Sequence, residues 1–167
     1  MTLTEEILGK IVSREALPGI IQPAITAGKK IVFTNGCFDI LHPGHIQVLG
    51  AAKNEGDILV VGMNADASVK KLKGEDRPVM DEQSRAILLA SLVFVDYVVI
   101  FTDETPLELI RELRPNVLVK GGDYRREEIV GADLVEAGGG RTVIVPLLAG
   151  HSSSEIIGKK GKDDHHR

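Results

Sequence analysis

The chain has a single cysteine, Cys37, among 167 residues. One thiol excludes an internal disulfide and any zinc site built from several cysteines. An excess of positive charge is also missing: 20 Lys and Arg stand against 24 Asp and Glu, a formal charge of −4. Nucleic-acid binding leans on clustered cations that neutralise phosphates, so this balance gives it no electrostatic footing. No uninterrupted apolar run approaches the roughly 20 residues that cross a bilayer. The opening MTLTEEILGK brings acids early and lacks the basic-then-apolar order of a secretory leader. With 43% hydrophobic and 26% charged residues the composition is ordinary for a globular chain, which excludes general disorder. The expectation is a soluble, cytoplasmic, single-domain protein with no membrane and no nucleic-acid partner.

What is present is a recurrence of short β-branched runs. They are Lys30–Thr34 (KIVFT), Asp57–Met63 (DILVVGM), Tyr97–Phe101 (YVVIF), Val117–Lys120 (VLVK) and Thr142–Pro146 (TVIVP). Each is almost continuously apolar, as suits strands covered on both faces in a parallel sheet. Helical patterns lie between them at Pro43–Asn54, Asp81–Phe94, Pro106–Leu113 and Gly131–Ala137. Pro43 and Pro106 sit where a first turn tolerates a missing N–H, and Thr105 is a candidate cap. This alternation predicts an α/β fold, a doubly wound parallel sheet of five strands with helices on both faces. Residues 1–29 read as a helical prelude interrupted by Pro18 and Pro23 and packed on the domain edge. The polar end, Gly158–Arg167, reads as a frayed tail whose His165 and His166 are solvated rather than adventitious metal ligands.

Open parallel sheets bind ligands beyond the carboxyl ends of their strands, where strand order reverses. The loop after the first run is Asn35-Gly36-Cys37-Phe38-Asp39-Ile40-Leu41-His42-Pro43-Gly44-His45. Gly36 permits close approach of backbone to ligand, and the helix that Pro43 opens offers free N–H groups to an anion. His42 and His45 flank that helix start. They either hold a phosphate and neutralise charge during phosphoryl or nucleotidyl transfer, or merely cap and pack. A zinc site is disfavoured, because no third and fourth ligand cluster nearby. The fourth run ends in a second loop, Lys120-Gly121-Gly122-Asp123-Tyr124, suited to close contact with a nucleotide. His151-Ser152-Ser153-Ser154-Glu155 announces a helix start that caps itself and offers hydroxyls to a phosphate. Lys70, Lys71, Lys73, Arg77 and Arg85 supply cations for the phosphate of a second substrate, or are solvated charges.

The segments FTNGCFDILHPGH, KLKGEDRPV, VKGGDY and HSSSEII, in that order, resemble the cytidylyltransferase-like nucleotidyltransferases with the H-x-G-H signature. The likeness covers about residues 28–160, and the NGCFD, RPV and KGGDY segments narrow it to the heptose 1-phosphate adenylyltransferase type. The resemblance implies a Rossmann-like sheet of strand order 3-2-1-4-5 and transfer of AMP from ATP to D-glycero-D-manno-heptose 1-phosphate. On it, His42 and His45, with Lys120, are catalytic. Asn35, Gly36, Cys37, Phe38, Gly121, Gly122, Asp123, Ser152, Ser153 and Ser154 bind the nucleotide. Lys73, Arg77 and Arg85 face the sugar phosphate. Where the family usually has Ser-Thr-Thr this chain has three serines, which keeps the hydroxyls. Mg²⁺ is expected with the triphosphate, its protein ligands unassigned. Cys37 has no paired base and reads as part of the backbone loop rather than a nucleophile.

The resemblance further implies a stand-alone form without a sugar-kinase domain, a possible homodimer, and residues 30–160 as the nucleotidyltransferase domain followed by a tail at 161–167. A cytidylyltransferase acting on an alcohol phosphate such as glycerol 3-phosphate is the alternative enzyme. A nucleotide-binding regulator without turnover is the alternative from another class.

Overall fold

A computed structural model describes residues 1–147 and 156–158. Five parallel strands form one sheet in the order β3-β2-β1-β4-β5: β1 (Ile31–Gly36), β2 (Ile58–Asn64), β3 (Tyr97–Phe101), β4 (Val117–Gly121) and β5 (Arg141–Val145). The central position of β1 puts the reversal of strand order between β1 and β4. The expected strand order is the one found.

Side chains alternate between the two faces of each strand, and two apolar cores result. Val32, Leu59, Val61, Met63, Val117 and Val119 enter one core with helices α3 (Pro43–Asn54) and α5 (Glu82–Ala90). Phe33, Val60 and Leu118 enter the other, with α2 (Leu17–Thr26), α6 (Leu107–Leu113) and α7 (Ala132–Ala137). Burial on both faces explains why the strands carry unbroken apolar runs.

Local chemistry sets the helix ends. Pro43 opens α3 and His42 caps it. Asp81 caps α5 by accepting from the Ser84 N–H at 2.8 Å. The α5 helix stops at Ala90, short of the expected Phe94. Beyond it the chain turns so that the Asp96 carboxylate can accept from the Leu59 N–H at 2.7 Å and from Lys53 at 2.6 Å, leading into β3. The Thr105 hydroxyl accepts from the Leu107 N–H at 3.4 Å. One helix went unread in the sequence: α4 (Asp66–Lys73) has only Ser68 and Val69 buried, too thin a stripe to show as periodicity.

The N-terminal segment differs from the reading of its prolines. Pro18 lies in the first turn of α2 and Pro23 inside it, and the break falls instead between α1 (Leu3–Gly9) and α2. There Ile11 bridges to Val98, with Val12 N–H donating to the Val98 carbonyl and Val98 N–H to the Lys10 carbonyl. This contact shields the edge of β3. Leu17 and Ile21 of α2 pack with Leu109, Ile110 and Leu113 of α6. No helix among the described residues is long and apolar enough to cross a membrane.

Candidate active site

A crevice of about 400 Å³ opens at the carboxyl ends of the strands. Its floor is the loop after β1, from Asn35 to Asp39, with His42 and His45 at the start of α3. One flank carries Asn64, Lys73 and Glu104 from the β2 and β3 side; the other carries Lys120, Gly121 and Tyr124 from β4. The two expected loops therefore meet across one space, as strand reversal between β1 and β4 requires.

The two imidazoles stack, their centroids 3.8 Å apart and planes 27° off parallel. His42 is 7% exposed, and its Nδ1 accepts from the Gly44 N–H at 3.1 Å. That bond puts the proton of the neutral ring on Nε2. His45 also tilts against Phe38, with 5.1 Å between centroids. Its Nδ1 is enclosed and has no hydrogen-bond partner among the described residues. Burial first, then the neighbouring His42 and Lys73, push its pKa down to about 4. His45 is thus neutral in the free protein at ordinary pH, and an incoming phosphate would favour its protonated form.

Lys120 is held over the ring of Tyr124, 5.2 Å from its centroid. Burial lowers its pKa, Lys73 adds to that, and Cys37 opposes it. A cation short of water is prepared for an anionic ligand. Burial likewise raises the Cys37 thiol despite nearby cations, and its Sγ lies 3.8 Å from Oδ1 of Asn64. Both features suit a thiol that stays protonated, not an activated nucleophile.

Other expected residues fall differently. Lys73 lines the crevice, whereas Lys70 and Lys71 are exposed on α4 outside it. Gly122 and Asp123 do not line it, and Asp123 is exposed. Arg77 does not line it either: its Nε donates to Asp39 at 2.6 Å and its Nη2 is enclosed without a partner among the described residues. Arg85 also lies apart from the crevice lining. Expected on the sugar-phosphate side, it is 1% exposed, its guanidinium bonded to Met80, Cys37, Asn64 and Asp66. Its donors are turned inward to those acceptors. Ser152, Ser153, Ser154, His165 and His166 lie outside the described residues.

Two residues were not assigned roles in the sequence. Asp39 is 1% exposed and ties the segment before α5 to the β1 loop, accepting from Arg77, from the Val79 N–H at 2.8 Å and from the Met80 N–H at 3.1 Å. Burial would raise its carboxyl, but these bonds outweigh burial and hold it below the usual range. Its signal was an acid inside an otherwise apolar and small motif. Asn64 lines the crevice and donates to Ser68 at 2.8 Å. Its signal was its place as the first polar residue closing the apolar run beside β1. No group of three or more His, Cys, Asp or Glu side chains among the described residues could hold a metal ion.

Residues 33–158 match the family model described as Cytidylyltransferase-like. The chain belongs to the cytidylyltransferase-like family. By that membership it is a nucleotidyltransferase. Among its relatives, the Bifunctional protein HldE of Geobacter metallireducens is 56% identical over 150 residues, covering 90% of this chain and 31% of that protein. The HldE of Hyphomonas neptunium is 59% identical over 145 residues, covering 87% and 30%. The chain thus spans about a third of the length of these curated relatives. A crystal structure of the lipopolysaccharide core biosynthesis protein from Thermoplasma volcanium superposes with a TM-score of 0.59 at 30% identity, covering 72% of this chain and 98% of that one. Pantoate-beta-alanine ligase from Francisella tularensis shares the fold alone, with a TM-score of 0.62 at 17% identity over 86% of this chain and 68% of that one.

Proposed function

We propose that this cytidylyltransferase-like chain transfers AMP from ATP to D-glycero-D-manno-heptose 1-phosphate, giving ADP-heptose and pyrophosphate. The observation that carries the reading is the stacked His42–His45 pair facing Lys120 across one crevice at the mouth of the central strand. An anionic sugar-phosphate oxygen attacks the α-phosphorus in line. The bond from that phosphorus to the bridging oxygen breaks, and pyrophosphate leaves with the electron pair. The nucleophile already carries its charge, so no general base is needed. The chain's work is positioning and neutralisation of negative charge as it spreads.

In this reading the nucleotide lies on the β4 flank with Lys120, and the sugar phosphate on the β2 flank with Lys73. Ser152, Ser153 and Ser154 hold the outer phosphates, on the strength of the motif resemblance. Mg²⁺ comes in with ATP as part of the substrate, supplying further charge neutralisation; among the described residues the crevice lining carries two acids, Glu104 and Asp39, the latter committed to Arg77 and two amide N–H groups. The heptose assignment rests on the NGCFD, RPV and KGGDY segments and on identity of 56–59% to the two HldE relatives.

The test is a panel of four nucleoside triphosphates against heptose 1-phosphate, other sugar 1-phosphates and glycerol 3-phosphate, read by pyrophosphate release. Turnover confined to ATP with heptose 1-phosphate is expected. Preference for CTP with an alcohol phosphate, or ATP binding without product, would replace this reading with a cytidylyltransferase or a nucleotide-binding regulator.

A further inference from the structure

Arg85 heads the largest fully buried side chains among the described residues, and the proposed reaction gives it nothing to do. α5 carries it inward at the level of the strand ends. Nε donates to the Met80 carbonyl at 3.0 Å, Nη1 to the carbonyls of Cys37 and Asn64 at 2.7 Å each, and Nη2 to the Asp66 carboxylate at 2.7 Å. Three of the four acceptors are main chain, from the β1 loop, the end of β2 and the turn before α5. A planar fork of five donors can span such a set; a single ammonium cannot.

The Cys37 bond has a directional consequence. The C=O and N–H of one trans peptide point in opposite directions, and the cis bond among the described residues is elsewhere, at Arg77–Pro78. Holding the Cys37 carbonyl toward Arg85 therefore turns the Phe38 N–H away from Arg85. The crevice is on that other side, since Cys37 and Phe38 line it and Arg85 does not. The Phe38 N–H has no acceptor among the described residues. Phe38 also adopts φ +49°, a left-handed conformation that costs a bulky residue energy and needs outside support. Backbone of this kind, with an N–H turned into a concavity, is how chains build anion nests.

We infer that Arg85 is a positioning residue for nucleotidyl transfer: it locks the Cys37–Phe38 peptide so that the Phe38 amide is aimed at a phosphate of the bound nucleotide. The inference rests on the ATP-using reading above and adds to it the element that orients the phosphate-binding loop. Arg85 acts through the main chain and touches no substrate.

The test uses the full chain and two variants, Arg85→Lys and Asp66→Asn. The first keeps the charge and loses the fork; the second weakens the ion pair and leaves the Cys37 bond. The primary readout is the ¹⁵N–¹H resonance of Phe38 on adding a non-hydrolysable ATP analogue with Mg²⁺. A downfield shift is expected in the parent and in Asp66→Asn, and its loss in Arg85→Lys. Turnover should fall on the order of 10–100-fold in Arg85→Lys and stay within about threefold in Asp66→Asn, with similar melting temperatures for the two. An unmoved Phe38 resonance in the parent overturns the inference without any variant. So does an equal shift in Arg85→Lys, or turnover that simply follows melting temperature across both variants. A shifted Phe38 resonance in a parent that adenylates no sugar phosphate supports the inference while sinking the heptose reading.

Discussion

Gly121, the last residue of β4, meets Val48 of α3 so closely that a Cβ on the glycine would lie 2.4 Å from the valine Cγ2. The strand that presents Lys120 is thereby seated on the helix whose first turn presents His42 and His45. The width of the crevice between these groups is set by a contact with no room for a methyl group.

Gly121→Ala should accordingly overpack this seam and destabilise the fold by about 1–3 kcal/mol. Turnover should fall as well, because Lys120 moves relative to the histidines. Adding Val48→Ala should recover part of both losses. Thermal denaturation with a pyrophosphate-release assay measures this; an unchanged melting temperature in the single variant would show that the seam has slack.

In the proposed reaction, His45→Ala removes one preorganised donor to charge developing in the transition state. Turnover should drop on the order of 10²–10³-fold with little change in ATP affinity. Activity within a few-fold of the parent would strip His45 of its catalytic role.

The low pKa of His45 has consequences for pH. Its folded value of about 4 lies below the ordinary 6.5, so between these values the unfolded chain binds more protons than the folded one. Stability therefore rises with pH across that window and is constrained no further by this group above it. For the same reason kcat/KM, which reports the free enzyme, should show no titration of His45 near 6.5. Denaturant melts and kinetics at pH 4 to 8 test both; an inflection near 6.5 that disappears in His45→Ala would contradict the burial argument.

Asp39→Ala leaves the Arg77 guanidinium and two amide N–H groups without their acceptor. Loss of one partner of a buried pair costs about 3–5 kcal/mol. Asp39→Asn keeps one acceptor oxygen and should cost less. Because the pinned segment follows directly on Lys73, KM for the sugar phosphate should rise more than KM for ATP. Equal changes in the two KM values would show that Asp39 stabilises without orienting.

Much of the fold was legible because both faces of the sheet are buried. That burial writes continuous apolar runs into all five strands and leaves the helices as periodic gaps between them. α4 was not legible, since a helix that buries only Ser68 and Val69 leaves almost no pattern. The reach of α5 was overread because Leu92, Val93 and Phe94 continue the apolar spacing after the backbone has turned. Pro23 was misread as a break because neighbours such as Ile21, packed against α6, keep α2 helical around it.

The site divides in the same manner. Glycines, histidines and a lysine placed immediately after apolar runs marked two loops of one crevice, and linear order alone sufficed for that. Linear order was silent on which charges face the crevice. Arg85 and Lys73 look alike in sequence, yet Arg85 is spent on the carbonyl of Cys37, 48 positions away, while Lys73 remains at the crevice wall. Asp39 is likewise committed to Arg77, Val79 and Met80. The sequence by itself determined the strands, the loops at their ends and the residue types available there. Only tertiary structure decided which charges are free for a ligand, because that depends on acceptors that distant segments bring within about 3 Å of each donor.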